Sequence, residues 1–281
     1  MKTIVISEIG ENHYGRWDIC RGLVHESARN GATIAKFQTY TGEQFGESHP
    51  AYEWFRGVSM PESVHRDMQQ ACVQEGIEFL SSPFTVCASR FLIDTLGLAA
   101  IKVASGRVVH HDMLDFINSR ADQVKTVYLS TGGCSMDEVR AAVKRLHRIE
   151  NCYLLHCVSQ YPTEDENVNL RAMLTLRAAF PDHGIGYSDH SRGIEACVAA
   201  VVLGAEVLEK HFSYSTKMPG DDHPGAMTPE TLSELVARIG RVETMFGSPE
   251  KKLLPAEAPI IDALRVQLAE VGFGAAGDQP S

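Results

Sequence analysis

Three pairs of polar residues interrupt otherwise apolar runs of this 281-residue chain, and within each pair the two residues stand two apart. They are Lys36 and Gln38 in Ala35-Lys36-Phe37-Gln38, Ser188 and His190 in Gly186-Tyr187-Ser188-Asp189-His190-Ser191, and Glu209 and His211 in Leu208-Glu209-Lys210-His211-Phe212. In an extended strand such residues share one face. Glu8, Ser82, Lys102, Ser105, Ser130 and His156 interrupt other apolar runs in the same way. An ammonium between apolar neighbours is costly unless an anion answers it, so Lys36 and Lys102 require Glu8, Glu209 or a bound phosphate or carboxylate. Two cations among hydroxyls describe a site for a small anion. His190 and His211 close successive runs near Glu209 and Asp189, a set that suits a divalent ion with positions left open for substrate. His156 is a third candidate, so the ligand set stays open. The plain alternative for a residue such as Ser130 is a strand end returning to solvent. The remaining histidines, including His110, His111 and His147, carry no pattern and are expected to be solvated.

The elements that must carry these groups are legible as alternation. Eight β-branched or apolar runs (3–9, 33–39, 78–84, 100–105, 126–131, 153–159, 184–188 and 207–212) are each followed by a stretch that can be helical. The clearest helical stretches are 18–30, 61–76, 135–150, 170–180, 193–204 and 229–246. Alternation of this kind signals parallel strands with right-handed crossovers. Eight units in some 250 residues match a (β/α)8 TIM barrel, an α/β fold of one domain, here predicted over 1–247. The rival, an open doubly wound sheet, needs a Gly-x-Gly-x-x-Gly turn that Gly10-Glu11-Asn12-His13-Tyr14-Gly15 does not provide. In a barrel, inward residues near the carboxyl ends of the strands form the mouth of the site. The connection 40–60, with Tyr52, Trp54 and Phe55, is long enough to be functional or partly mobile. The polar turn 219–225 follows the last strand and offers Asp222 as an acceptor for a hydroxyl. Residues 248–281 read as an extension with a short helix at 260–271 and a frayed tail.

Composition narrows the classes. With 26 basic and 36 acidic side chains, a net charge of −10 argues against general affinity for nucleic acid or anionic membrane. No run of apolar residues is long enough to span a bilayer, and the apolar stretch after Met1 is too short for a secretion signal. The seven cysteines lack a Cys-x-x-Cys pair, which suits reduced, mostly buried thiols and a cytoplasmic location.

At these residues the chain resembles the sialic acid synthase (N-acetylneuraminate synthase, NeuB-type) family. The resemblance rests on Glu8-Ile9-Gly10-Glu11-Asn12-His13-Tyr14-Gly15, Ala35-Lys36-Phe37-Gln38-Thr39, Leu80-Ser81-Ser82-Pro83-Phe84 and Ile101-Lys102-Val103-Ala104-Ser105-Gly106. It continues through Leu129-Ser130-Thr131-Gly132, His156-Cys157-Val158-Ser159-Gln160-Tyr161-Pro162, Gly186-Tyr187-Ser188-Asp189-His190-Ser191 and Glu209-Lys210-His211-Phe212. The resemblance implies condensation of phosphoenolpyruvate with an open-chain sugar aldehyde. It implies Mn2+ or Mg2+ on His190 and His211, and phosphoenolpyruvate on Lys36, Lys102, Ser82, Ser105, Ser130 and Ser188. It also implies that Glu8, Gln38, Tyr161, Glu209 and Asp222 face the acceptor or assist proton movement, with Glu8 or Glu209 as the base. Two departures bear on substrate. Arg107 stands where the family usually has a glutamate that holds the sugar, and the family's small C-terminal antifreeze-like domain is read as absent. Arg107 then serves an acidic or phosphorylated acceptor, stands in for an arginine of that domain, or merely pairs with Asp112 or Glu209. A homodimer, if formed, would rest on barrel surfaces.

Two rivals remain at this level. One is a Schiff-base or metal aldolase on the same barrel, with Lys36 or Lys102 as the amine. The other is a non-catalytic relative that binds an anionic sugar.

Overall fold

A computed structural model describes residues 2–270. Eight parallel strands, β1 (Ile4–Glu8), β2 (Ile34–Thr39), β3 (Glu78–Pro83), β4 (Ala100–Val103), β5 (Thr126–Ser130), β6 (Asn151–Cys157), β7 (Gly184–Asp189) and β8 (Val207–His211), form one sheet. Its order is β3-β2-β1-β8-β7-β6-β5-β4, and the end strands β3 and β4 pack side by side, so the sheet is a nearly closed (β/α)8 barrel. The helices are α1 (Trp17–Arg29), α2 (Tyr52–Val58), α3 (Glu62–Glu75), α4 (Val86–Arg90), α5 (His111–Ser119), α6 (Met136–Arg145), α7 (Ala172–Ala179), α8 (Glu195–Val202), α9 (Pro229–Phe246) and α10 (Ala258–Glu270). No helix among the described residues is long and apolar enough to cross a membrane.

Period-two alternation builds the barrel in layers. Outward residues such as Val5, Phe37, Ile101, Leu129 and Leu154 join the apolar faces of the helices in the main core. On α1 that face is Cys20, Leu23, Val24 and Ser27, at helical spacing. Inward, Ile6, Ile34, Leu80, Tyr128, Leu155 and Val207 plug the axis. Gly186 completes this layer, because a Cβ there would lie 2.5 Å from the Val207 carbonyl oxygen and collide with the Leu155 side chain. One step of two residues further along each strand, the apolar layer gives way to Glu8, Lys36, Ser82, Lys102, Ser130, Cys157, Ser188 and Glu209. The polar ring therefore rests on a dry floor.

The helices are bounded by local chemistry. Ser135 and Glu138 form a reciprocal capping box at the start of α6. Gly76, at φ 73°, ends α3 in the left-handed conformation that Cβ-bearing residues avoid. The sequence reading did not mark α2, α4 or α5. The first lies inside the long 40–60 connection, α4 is a single turn running into a π-turn (Phe91–Thr95), and α5 follows His110, whose side chain does not cap it.

The chain divides into two compact units, one ending at Val242 and one beginning at Glu243, so the division falls inside α9 rather than at 247. The second unit contains α10, whose residues Ile260 and Leu264 are exposed. The remainder of the predicted 260–271 helix and the tail beyond 270 lie outside the described residues.

Candidate active site

The ring at the carboxyl ends of the strands is a charge-balanced cluster of four buried ions. Lys36 Nζ lies 2.5 Å from Glu8 Oε2 and 3.8 Å from Glu209 Oε2. Lys102 Nζ lies 3.6 Å from Glu209 Oε1. Hydroxyls and amides complete the set: Lys36 donates to Ser82 Oγ at 3.2 Å, and Lys102 to Ser130 Oγ at 2.7 Å and the Val103 carbonyl at 3.1 Å. Ser188 Oγ donates to Glu209 Oε1 at 3.0 Å, and Gln38 Nε2 to Glu8 Oε1 at 3.1 Å. These side chains line a cavity of about 220 Å³ together with Ser105, Cys157, Ser159, Tyr161, His190 and His211.

Burial and partners oppose each other in this ring, and distance decides the outcome. Burial pushes the Glu209 carboxyl up, but Lys102, Lys36 and the Ser188 hydroxyl together hold it below its usual value. Burial works against the charge on Lys36, yet Glu209 and Glu8 outweigh it and raise the group. Lys102 goes the other way: burial dominates, Glu209 only partly offsets it, and Lys36 adds repulsion. Glu209 Oε2 is buried without a hydrogen-bond partner.

His190 and His211 stand above the ring with centroids 5.6 Å apart. His190 Nδ1 donates to the Val158 carbonyl at 2.7 Å, so that nitrogen carries a proton and Nε2 is the one a metal ion could take. Burial lowers the ring's pKa, but Cys157, this carbonyl and Glu209 outweigh it and raise it, so an ion there would have to displace a proton. Burial pushes His211 down to about 3, and its Nδ1 is buried without a hydrogen-bond partner. Asp222 Oδ2 is 3.5 Å from that nitrogen, and burial raises its carboxyl to about 6, so the contact is not an ion pair between charged groups. An orphaned ring nitrogen beside an anchored imidazole fits the protein's share of a divalent-ion site that leaves positions to substrate and water. Among the described residues no cluster of three or more His, Cys, Asp or Glu side chains forms a fuller set of ligands.

Loops cover the mouth. Glu11 accepts from Tyr40 Oη at 2.6 Å and Trp54 Nε1 at 2.5 Å, which ties α2 to the loop after β1. Tyr14 Oη donates to the Pro219 carbonyl at 2.7 Å and stacks on His223, which ties the same loop to the turn after β8. Tyr161 packs 4.1 Å from the His190 ring. Gly132 lies against the cavity wall, and a Cβ there would stand 2.7 Å from Ser159 Oγ and 2.9 Å from Ser105 Oγ.

Several expectations need correction. Asp189 and His156 point outward, away from the histidine pair. Asp189 is paired with Lys210 Nζ at 2.5 Å and accepts from Tyr187 Oη at 2.8 Å and Ser191 Oγ at 2.7 Å. His156 Nε2 donates to the Val168 carbonyl at 2.8 Å, and its ring stacks on Tyr187. Three histidines expected in solvent are buried: His13, His65 and His223. Arg107 pairs with neither Asp112 nor Glu209; its guanidinium lies over Phe84 and bonds His110. The sequence reading passed over Cys157, Ser159, Phe84 and Glu11; the period-two rule that selected Lys36 and Glu209 also selects Cys157, two after Leu155.

Residues 23–251 match the model of the NeuB family. This chain belongs to the NeuB family. Among NeuB relatives it is 34% identical to the N,N'-diacetyllegionaminic acid synthase of Legionella pneumophila, over 92% of this chain and 78% of that protein. It is 33% identical to the human N-acetylneuraminate-9-phosphate synthase, over 90% of this chain and 74% of that one. The structure superimposes on the N-acetylneuraminic acid synthetase of Leptospira borgpetersenii with a TM-score of 0.87 and 29% identity, covering 96% of this chain and 93% of that one.

Proposed function

We propose that this NeuB-family protein condenses phosphoenolpyruvate with an open-chain sugar aldehyde. C3 of the enol bonds to the aldehyde carbon, water adds at C2, and the C2–O bond to phosphate breaks, giving a 2-keto-3-deoxy sugar acid and inorganic phosphate. The observation that carries this reading is the buried ring of two lysines, two glutamates and three serines directly beneath two histidines.

Each group has a task that its surroundings suit. Lys36 and Lys102, with Ser82, Ser105, Ser130 and Ser188, hold the carboxylate and phosphate of phosphoenolpyruvate through charge-assisted hydrogen bonds. Lys102, set against the phosphate, stabilises negative charge as the C–O bond opens. Glu209, ionised and with a free Oε2, accepts the proton of the water that attacks C2. Glu8, engaged by Lys36 and Gln38, orients that lysine and faces the acceptor. Gln38, Tyr161 and Asp222 meet the acceptor hydroxyls, and the dry floor keeps bulk water from the enol. A divalent ion, Mn2+ or Mg2+, held by His190 and His211 would polarise the aldehyde carbonyl as a Lewis acid.

The test is release of inorganic phosphate from phosphoenolpyruvate labelled with 18O at the bridging oxygen, assayed with a panel of sugar aldehydes. Label in the phosphate and a kcat at least a hundredfold lower for Glu209→Gln are the expected results. Borohydride trapping of substrate on Lys36 or Lys102 would make the protein a Schiff-base aldolase instead. No turnover with any aldehyde would leave a binding protein.

A further inference from the structure

Phe84 separates the active-site cavity from a neighbour. It lines the polar cavity above the ring, the larger cavity that holds Trp54, Tyr161 and Asp222, and a third of about 280 Å³ that holds Gln44, Arg107 and His110. Phe45 lines the last two as well. A ligand in the acceptor cavity therefore has Arg107 just beyond its aromatic wall.

Arg107 is a cation without a counter-charge. Its Cζ lies 5.0 Å from the Phe84 ring centroid, and Nη1 donates to His110 Nε2 at 3.0 Å. That bond places the remaining ring proton on His110 Nδ1, so the imidazole is neutral and acts as a stay for the guanidinium rather than as a charge. No carboxylate pairs with Arg107 among the described residues, although Asp112 borders the same cavity. The residue is only partly exposed, and burial alone lowers its pKa. The buried lysines around the site are each matched: Lys36 by Glu8, Lys102 by Glu209, and the nearby Lys210 by Asp189. A guanidinium has five N–H donors in a planar fork that fits two oxygens of one anion, and only one donor is spent here. A neutral sugar hydroxyl would leave most of that fork unanswered.

We propose that Arg107, steadied by His110 and Phe84, determines acceptor specificity by binding an anionic group, a phosphate ester or a carboxylate, at the end of the sugar remote from its aldehyde. The acceptor class is thus an anionic open-chain sugar, an inference that rests on the condensation proposed above.

The experiment compares N-acetylmannosamine, its 6-phosphate and mannuronic acid as acceptors, and measures direct binding of the same three compounds calorimetrically at fixed ionic strength. For the wild type, kcat/KM with one or both anionic acceptors exceeds that with the neutral sugar by at least tenfold. The preferred anion tells phosphate from carboxylate recognition. Arg107→Gln removes that ratio, Arg107→Lys retains part of it, and Arg107→Glu reverses it, with KM for phosphoenolpyruvate reported alongside. A ratio unchanged in Arg107→Gln overturns the assignment, as does a wild type that prefers the neutral sugar. If no acceptor consumes phosphoenolpyruvate, the condensation fails, and binding alone decides for Arg107. Tighter binding of an anionic sugar by wild type than by Arg107→Gln then supports the subsite, and equal binding overturns it.

Discussion

Replacing Glu209 by Gln removes one negative charge from the centre of the ring while keeping nearly the same shape. Glu209 stands 3.8 Å from Lys36 Nζ and 3.6 Å from Lys102 Nζ. At an effective dielectric near 20, each attraction at such a distance is worth about 4 kcal/mol. Loss of the charge also relieves the desolvation cost of a buried carboxylate, itself several kcal/mol, so the net destabilisation is about 3–5 kcal/mol. For a chain of this size that lowers Tm by roughly 6–15 °C. The same change leaves the pocket with one net positive charge. Phosphoenolpyruvate, an anion, should then protect Glu209→Gln against heat more than it protects the wild type, even as turnover falls. Scanning calorimetry in EDTA, with and without phosphoenolpyruvate, reads both effects. A Tm within about 2 °C of wild type, or weaker protection of the variant, refutes the electrostatic account of the ring.

Other expectations follow from the same contacts. Burial lowers His13 and His65 from 6.5 to about 4, so the unfolded chain takes up their protons first. Stability is then full above pH 6.5 and falls by several kcal/mol towards pH 4, a trend that urea midpoints across this window will show and that a flat profile would contradict. His211→Ala and His190→Ala each weaken Mn2+ binding at least tenfold by titration calorimetry; an unaltered isotherm removes that histidine from the ion site. Gly186→Ala drives a methyl against Val207 and Leu155 and costs about 1–3 kcal/mol, visible as a lower urea midpoint, whereas an unchanged midpoint shows that the axis has spare room.

Much of this was legible because barrel strands repeat one instruction. Each apolar inward residue is followed two positions later by the group that does chemistry: Ile34 by Lys36, Leu80 by Ser82, Tyr128 by Ser130, Val207 by Glu209. A period of two survives without any knowledge of tertiary contacts. Asp189 misled because proximity in sequence to His190 says nothing of which face a side chain takes, and His156 because a polar residue that interrupts an apolar strand can lie on either face. His13 and His65 misled because burial of a lone histidine depends on partners from distant elements, such as Thr39 Oγ1 at 2.8 Å from His65 Nε2. The single turn of α4 leaves little periodic signal; α5 has one in Met113, Leu114 and Ile117, but it spans only nine residues and no capping side chain marks its start. Arg107 was conspicuous, but whether a carboxylate would reach it was a matter of loop geometry.

The Asp189–Lys210 pair, seated behind the two histidines on the outer wall of β7 and β8, separates framework from function. Side chains on alternate positions of the same two strands do unrelated work: one set fastens neighbouring strands together, the other meets the ligand. New substrate preferences can therefore arise by exchanging residues in the cavity and its covering loops while the spacing of the imidazoles stays as it is. Arg107, in the loop after β4 and outside that brace, occupies the kind of position where such divergence costs the scaffold least.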